Sequence, residues 1–266
     1  MVEQSDTRRM AGWSSTPRSR MANPVLTRGF GRAESSVQVN TDLHAERMTA
    51  AGVSRSALIL LALFIPAAVY GWSQVEIGEF PGWILVALLV GIGAVILGAF
   101  KPQWTPIIGP VYAIVEGSLV GAISHVYQNA YGIGIVPNAM MATFLTVIVM
   151  AVLYATRTIR VTERLRSVVI GATMAIFVFY MVSLGLSFFN VTMPLVWDAG
   201  PLGILFSLAV IVLAAFNLLL DFDLIERGVA AGAPAWMNWY AAFGLLVTVV
   251  WLYLEILRLL GKLQRR

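Results

Sequence analysis

The chain has 266 residues, of which 59% are hydrophobic and only 12% charged, with a formal net charge of +4. Soluble domains carry about 25% charged residues, so this composition places most of the chain in a bilayer rather than in water. The absence of cysteine removes disulfides, thiolate nucleophiles and Cys-based metal sites, and two histidines, His44 and His125, are too few for a three-His zinc centre. The positive charge collects in the first 55 residues and in short loops, which is a pattern of membrane topology and not of nucleic-acid binding.

Residues 1–55 are polar and rich in Ser, Thr and Arg, without the apolar core of a signal peptide. Their composition predicts a disordered, basic cytoplasmic tail drawn to an anionic membrane surface. Residues 56–263 read as one transmembrane domain. It contains seven apolar segments at about 57–75, 82–100, 106–127, 135–156, 167–189, 202–222 and 237–260, each near the roughly 20 residues a helix needs to span a bilayer. Pro81, Pro106 and Pro201 stand at segment starts, where a missing N–H costs little. Short connections make successive helices antiparallel neighbours, so the predicted fold is an all-α, polytopic, seven-transmembrane-helix bundle.

Lys101, then Arg157, Arg160, Arg164 and Arg166, then Arg227 fall between segments two and three, four and five, and six and seven. The alternate loops hold Glu76, Glu79 and Asp198 but no Lys or Arg. The positive-inside rule therefore predicts a cytoplasmic N-terminus. Arg258, Lys262, Arg265 and Arg266 run against that rule: either this basic end is translocated or the last segment does not cross fully. Seven crossings are the expectation. Trp72, Trp83, Trp104, Trp197, Trp236, Trp239 and Tyr240 lie near segment ends, as an interfacial aromatic belt requires.

Acids within apolar segments are the candidates for function, because a carboxylate at membrane depth is costly unless it faces protein, water or an ion. In segment six, Asn217 and Asp221 are four apart and share a helical face, while Asp223 is about 200° further round. Asp221 is expected to point into the bundle, with Asp223 near the cytoplasmic mouth and within i+4 reach of Arg227. The alternative makes both aspartates interfacial caps in water. In segment seven, Thr248, Trp251, Glu255 and Arg258 form one stripe. Glu255 is either neutralised locally by Arg258 and Lys262 or faces Asp221 across the bundle. Two facing carboxylates would share a proton and make a pH-sensitive latch. Segment three supplies Tyr112 and Glu116, followed by the small-residue spacing Gly117-x-x-x-Gly121. Glu116 is expected inside the polar interior, the alternative being a protonated carboxyl stabilised by packing alone, and His125 is expected at the interface.

Asn190-Val-Thr192 matches a glycosylation acceptor. No G-x-S-x-G elbow, H-E-x-x-H or P-loop is present, mid-helix lysine for retinal is absent, and the Gly-x-Gly-Asp context of diaspartyl intramembrane proteases is missing. The chain is therefore expected to be no enzyme and to carry no cofactor.

At these residues the chain resembles the Bax inhibitor-1, or transmembrane Bax-inhibitor-motif, family in its bacterial branch. The resemblance rests on Glu116-Gly117, on the Asp221-x-x-Leu224-Ile225 ending of segment six, on the closing Leu252-Tyr253-Leu254-Glu255 with Leu257-Arg258-Leu259-Leu260, and on Asn23–Arg28 of the tail. It implies a bundle whose last helix is central, in a bacterial plasma membrane. It also implies a pH-sensitive calcium leak channel gated by an aspartate pair on the last two helices. Carried over, that pair is Asp221 and Glu255, which would also hold a weak, hydrated calcium ion. This chain departs from the pattern in having Glu on the last helix and an extra acid, Asp223. The implied partners are the bilayer and calcium or protons, with Glu116 along the ion path and Asn217, Tyr112, Arg227 and Arg258 supporting. Bacterial relatives are also linked to modulation of a membrane AAA protease, which makes a regulatory interaction protein the alternative.

Overall fold

The computed structural model describes residues 47–75, 81–187, 189, 193, 195 and 198–265. The polar tail, Glu76, Glu79, the Asn190-Val-Thr192 acceptor, Trp197 and Arg266 lie outside the described residues. The chain divides between Ala45 and Glu46, and all described residues belong to the second unit.

Seven helices long and apolar enough to cross a membrane are present among the described residues. They are α1 (Ala50–Ser73), α2 (Trp83–Phe100), α3 (Thr105–Tyr131), α4 (Ile135–Ala155), α5 (Glu163–Ser187), α6 (Pro201–Ala230) and α7 (Trp236–Gln264), with a 3₁₀ turn at Pro102–Trp104 leading into α3. Thr49 caps α1 by accepting from the Gly52 N–H at 2.9 Å, so that helix begins seven residues before the expected start at 57 and takes in Arg55. Helix α6 runs on to Ala230 and ends where Gly232 takes φ 63°. Its 30 residues span about 45 Å, more than the roughly 30 Å of hydrocarbon. Arg227, expected in a loop, therefore lies in the last turns of a helix that reaches the headgroup layer.

The last helix is central, as expected. Helix α7 packs against α1, α3, α4 and α6. Its side chains also reach α5, through Glu255 and Tyr180, and α2, where Phe243 lies against Gly98. Leu252 and Leu257 on α7 are fully buried beside Leu218 and Leu219 of α6. Helices α2 and α5 are peripheral, packing chiefly on α3 and α6. The tightest contact joins α1 to α3 through the Gly117-x-x-x-Gly121 spacing. A Cβ at Gly121 would stand 1.9 Å from the Ala68 carbonyl oxygen, and one at Gly71 would stand 1.9 Å from that of Ser118. Small residues let two backbones touch where lipid supplies no hydrophobic drive. Large apolar side chains such as Phe144, Leu145 and Ile148 of α4 remain exposed and face lipid.

Two of the basic residues expected to run against the positive-inside rule, Arg258 and Lys262, are held within the bundle, while Arg265 is exposed. Lys262 is 3% exposed and donates to the Gly203 carbonyl at 2.8 Å and the Ser207 hydroxyl at 2.9 Å. Arg258 is ion-paired to Glu255 at 2.8 Å. Lys262 is thus hydrogen-bonded to neutral groups and Arg258 ion-paired, while Arg157, Arg160 and Arg164 are exposed at the opposite end.

Candidate functional site

Asp221 lies on the seam between α6 and α7. Its Oδ2 is buried without a hydrogen-bond partner, the Thr248 hydroxyl of α7 stands beside the carboxyl, and a Cβ at Gly244 would lie 3.7 Å from Oδ1. Thr248 itself donates to the Gly244 carbonyl at 3.1 Å. One turn away on α6, Asn217 donates to the Thr173 hydroxyl of α5 at 2.8 Å and to the Leu213 carbonyl at 3.0 Å. Asn217 thus ties α5 to α6 and does not touch the carboxylate.

Glu255 has a different environment. It is 1% exposed and accepts from the Tyr180 hydroxyl at 2.8 Å and from Arg258 Nη1 at 2.8 and 3.1 Å. Arg258 in turn donates to the Tyr180 hydroxyl at 2.8 Å and stacks on its ring at 5.1 Å. The facing of Asp221 and Glu255 inferred from the sequence is therefore not what the structure shows. Helices α6 and α7 run antiparallel, with Thr248 level with Asp221 and Lys262 level with Gly203 and Ser207. Glu255 sits seven residues beyond Thr248, a rise of about 10 Å, and so lies level with the middle of α6. The local reading, in which Arg258 answers Glu255, is the one present, with Tyr180 as an added partner that the sequence reading missed.

Asp223, not Asp221, carries the ion pairs. It is 7% exposed, and Oδ2 meets Arg166 Nη2 at 2.5 Å and Arg227 Nε at 2.8 Å, the latter being the expected i+4 pair. Arg227 also reaches Glu163 at 3.2 Å. Glu226 accepts from Tyr154 and pairs with Arg157, a residue at φ 56°. For a non-glycine residue this left-handed backbone costs roughly 1–2 kcal/mol. The network straps the ends of α4, α5 and α6 together. Arg166 was named from the sequence only as a loop charge, and Glu226 and Tyr154 were not singled out; only the run of acids and arginines across 157–166 and 221–227 could have signalled their pairing.

Glu116 is buried on α3, one turn after Tyr112, against α2. A Cβ at Gly91 of α2 would lie 2.6 Å from its Oε2, so the carboxylate occupies the gap that this glycine leaves. No hydrogen bond to Glu116 is present among the described residues. Tyr112, one turn earlier, packs edge-on against Phe243 of α7 at 5.2 Å. On this one face, α3 meets α7 through Tyr112 and α2 through Glu116. Because this carboxylate lacks a partner, Glu116→Met, of similar volume, is expected to raise stability by about 1 kcal/mol in thermal unfolding in detergent. A loss of stability would show a partner that the geometry does not reveal. His125 packs edge-on against Trp72 at 5.1 Å, with Nδ1 buried and unpartnered.

Among the described residues, no three His, Cys, Asp or Glu side chains gather as a metal site. The joint calcium site expected of Asp221 and Glu255 is not assembled, because the two lie on different levels and calcium takes six to eight oxygens.

Seven apolar helices around a central last helix define a polytopic integral membrane protein, in contact with the lipid bilayer. Within that class, the family model described as Bax inhibitor 1 like matches residues 23–265, and the chain belongs to that family. No curated protein and no solved structure matches the chain.

Proposed function

We propose that this protein is a pH-responsive, calcium-permeable leak pathway of a bacterial plasma membrane, without enzymatic activity, whose arginine-rich end is cytoplasmic. The observation that carries the reading is the Asp221 carboxyl, half-buried on the α6–α7 seam with one oxygen unpartnered. Protonated, it fits against Gly244 and Thr248 and keeps the seam closed; deprotonated, it favours separation of the helices or a passing cation. Glu255 belongs to the same seam about 10 Å further along. Arg258 and Tyr180 hold it there, so the two acids stand at successive points of the seam and not as one shared pair. Without a closed oxygen cage, calcium is held weakly and in hydrated form, which conduction requires.

Calcium flux into proteoliposomes across pH 5–8 tests this. Flux is expected to rise with pH, because deprotonation places a negative charge in the seam. Asp221→Asn is expected to flatten that dependence. Flux equal to that of empty liposomes at every pH would overturn the leak reading.

A second reading, a regulatory interaction protein acting on a membrane AAA protease, draws on how the chain enters α1. Met48 N–H donates to the Ala233 carbonyl at 2.7 Å, and Thr49 N–H donates to Asn238 Oδ1 at 3.1 Å. The residues before α1 are thereby coupled to the α6–α7 turn. If this reading holds, removal of residues 1–45 abolishes the cellular effect while Asp221→Asn leaves it intact.

A further inference from the structure

Two clefts meet at the arginine-rich end of the bundle. One, of about 520 Å³, lies between the start of α1, the end of α4 and the last turns of α6, with a floor made by Ala50, Ala151, Phe222, Ile225 and Val229. The other, of about 360 Å³, is lined by Arg157, Arg160 and Arg227 together with Asp223 and Glu226 at the helix ends. They share Tyr154, Glu226 and Ala230 as a common wall. The apolar cleft is built from membrane-spanning helices and the polar one from the segment just beyond them. The pair therefore straddles the plane where hydrocarbon meets headgroups.

The charge of the polar cleft is positive. Arg157, Arg160, Arg164, Arg166 and Arg227 crowd this end against Glu163, Asp223 and Glu226. All three acids are engaged by arginines. Arg160 and Arg164 have no acidic partner among the described residues, and Arg160 lines the cleft. Arginine suits phosphate, because its planar fork can donate two parallel hydrogen bonds to two oxygens. We propose that these joined clefts bind one anionic phospholipid, its phosphate held at Arg160 beside Arg157 and one acyl chain lying in the apolar cleft between α4 and α6. A zwitterionic lipid would fit the apolar cleft, but its own cation would cancel the attraction of the arginines. Free phosphate would meet the arginines with nothing to fill the apolar cleft. The proposal is independent of the leak reading.

The test uses the full chain purified in a nonionic detergent and titrated with short-chain phosphatidylglycerol, short-chain phosphatidylcholine or inorganic phosphate. Bound species are counted by native mass spectrometry, and affinity is read from the shift in thermal unfolding. Phosphatidylglycerol is expected to bind at least about tenfold more tightly than phosphatidylcholine. Arg160→Gln should narrow that ratio by about fivefold, as expected for one surface arginine. Ala151→Trp, which fills the apolar cleft, should weaken both lipids alike. Ala230→Trp on the adjoining wall repeats this arm should Ala151→Trp fail to fold. Equal binding of the two lipids, or an unchanged ratio in Arg160→Gln, would overturn the proposal. So would inorganic phosphate that stabilises as strongly as phosphatidylglycerol while neither tryptophan variant weakens the lipid, since that pattern marks a free-anion site.

Discussion

Glu255→Ala is expected to lower stability by about 3 kcal/mol, the largest effect of any single side-chain truncation among the candidate acids. The cause is not the loss of Glu255 packing but the state in which it leaves its neighbour. Arg258 keeps its other contacts, among them the donation to the Tyr180 hydroxyl at 2.8 Å, yet its side chain is only 21% exposed and it loses a carboxylate bonded at 2.8 Å. Removing one member of a buried pair typically costs about 3–5 kcal/mol; the contacts that Arg258 keeps place this case at the lower end. Replacing both residues, as in Glu255→Met with Arg258→Met, removes the buried cation together with its carboxylate and should recover more than half of the loss. Tyr180→Phe, which deletes a hydroxyl that both donates to Glu255 and accepts from Arg258, should cost about 1–2 kcal/mol. Denaturation in mixed detergent micelles measures all three. A Glu255→Ala protein within about 1 kcal/mol of the parent would mean that Arg258 does not depend on this carboxylate.

Gly121→Ala should be comparably damaging, although it adds a single methyl group. The added Cβ would stand 1.9 Å from the Ala68 carbonyl oxygen, and backbone cannot step aside as a long side chain does. Helices α1 and α3 must separate along their whole contact, which includes Gly117 against the Phe64 carbonyl oxygen, where a Cβ would lie at 2.6 Å. Overpacking of this kind costs about 1–3 kcal/mol or more. Gly93→Ala is the control. Nothing lies within 4 Å of a Cβ at Gly93, so relief of backbone freedom within α2 should leave stability unchanged or raise it by up to about 1 kcal/mol. Equal stability of the two alanine variants in the same unfolding assay would show that α1 and α3 are not in backbone contact.

Much of the architecture is legible in residue order. Seven long apolar runs separated by polar turns force seven helices, because unpaired backbone groups cannot be left in hydrocarbon. Gly117-x-x-x-Gly121 marks a close helix contact, and Asp223 to Arg227 is an i+4 pair that needs no knowledge of the fold. Family membership was legible too, through Glu116-Gly117, the ending of segment six and the closing helix. Helix ends were less so: α6 continues past Asp223 because its final acids and arginines bond to α4 and α5 in the headgroup layer, a support that hydropathy does not register.

The partners of the acids were decided by packing. Glu255 takes its hydroxyl from Tyr180, 75 residues away on a peripheral helix. Glu116 turns to α2 because Gly91 leaves a space there, and Asp221 meets Thr248 because Lys262, bound to Gly203 and Ser207, sets the register of α7 on α6. These helices are apolar nearly all round, so no contrast between faces tells which side turns inward. Rotation and register then depend on where small residues allow approach and where a few buried polar groups find one another, and both are properties of the assembled bundle.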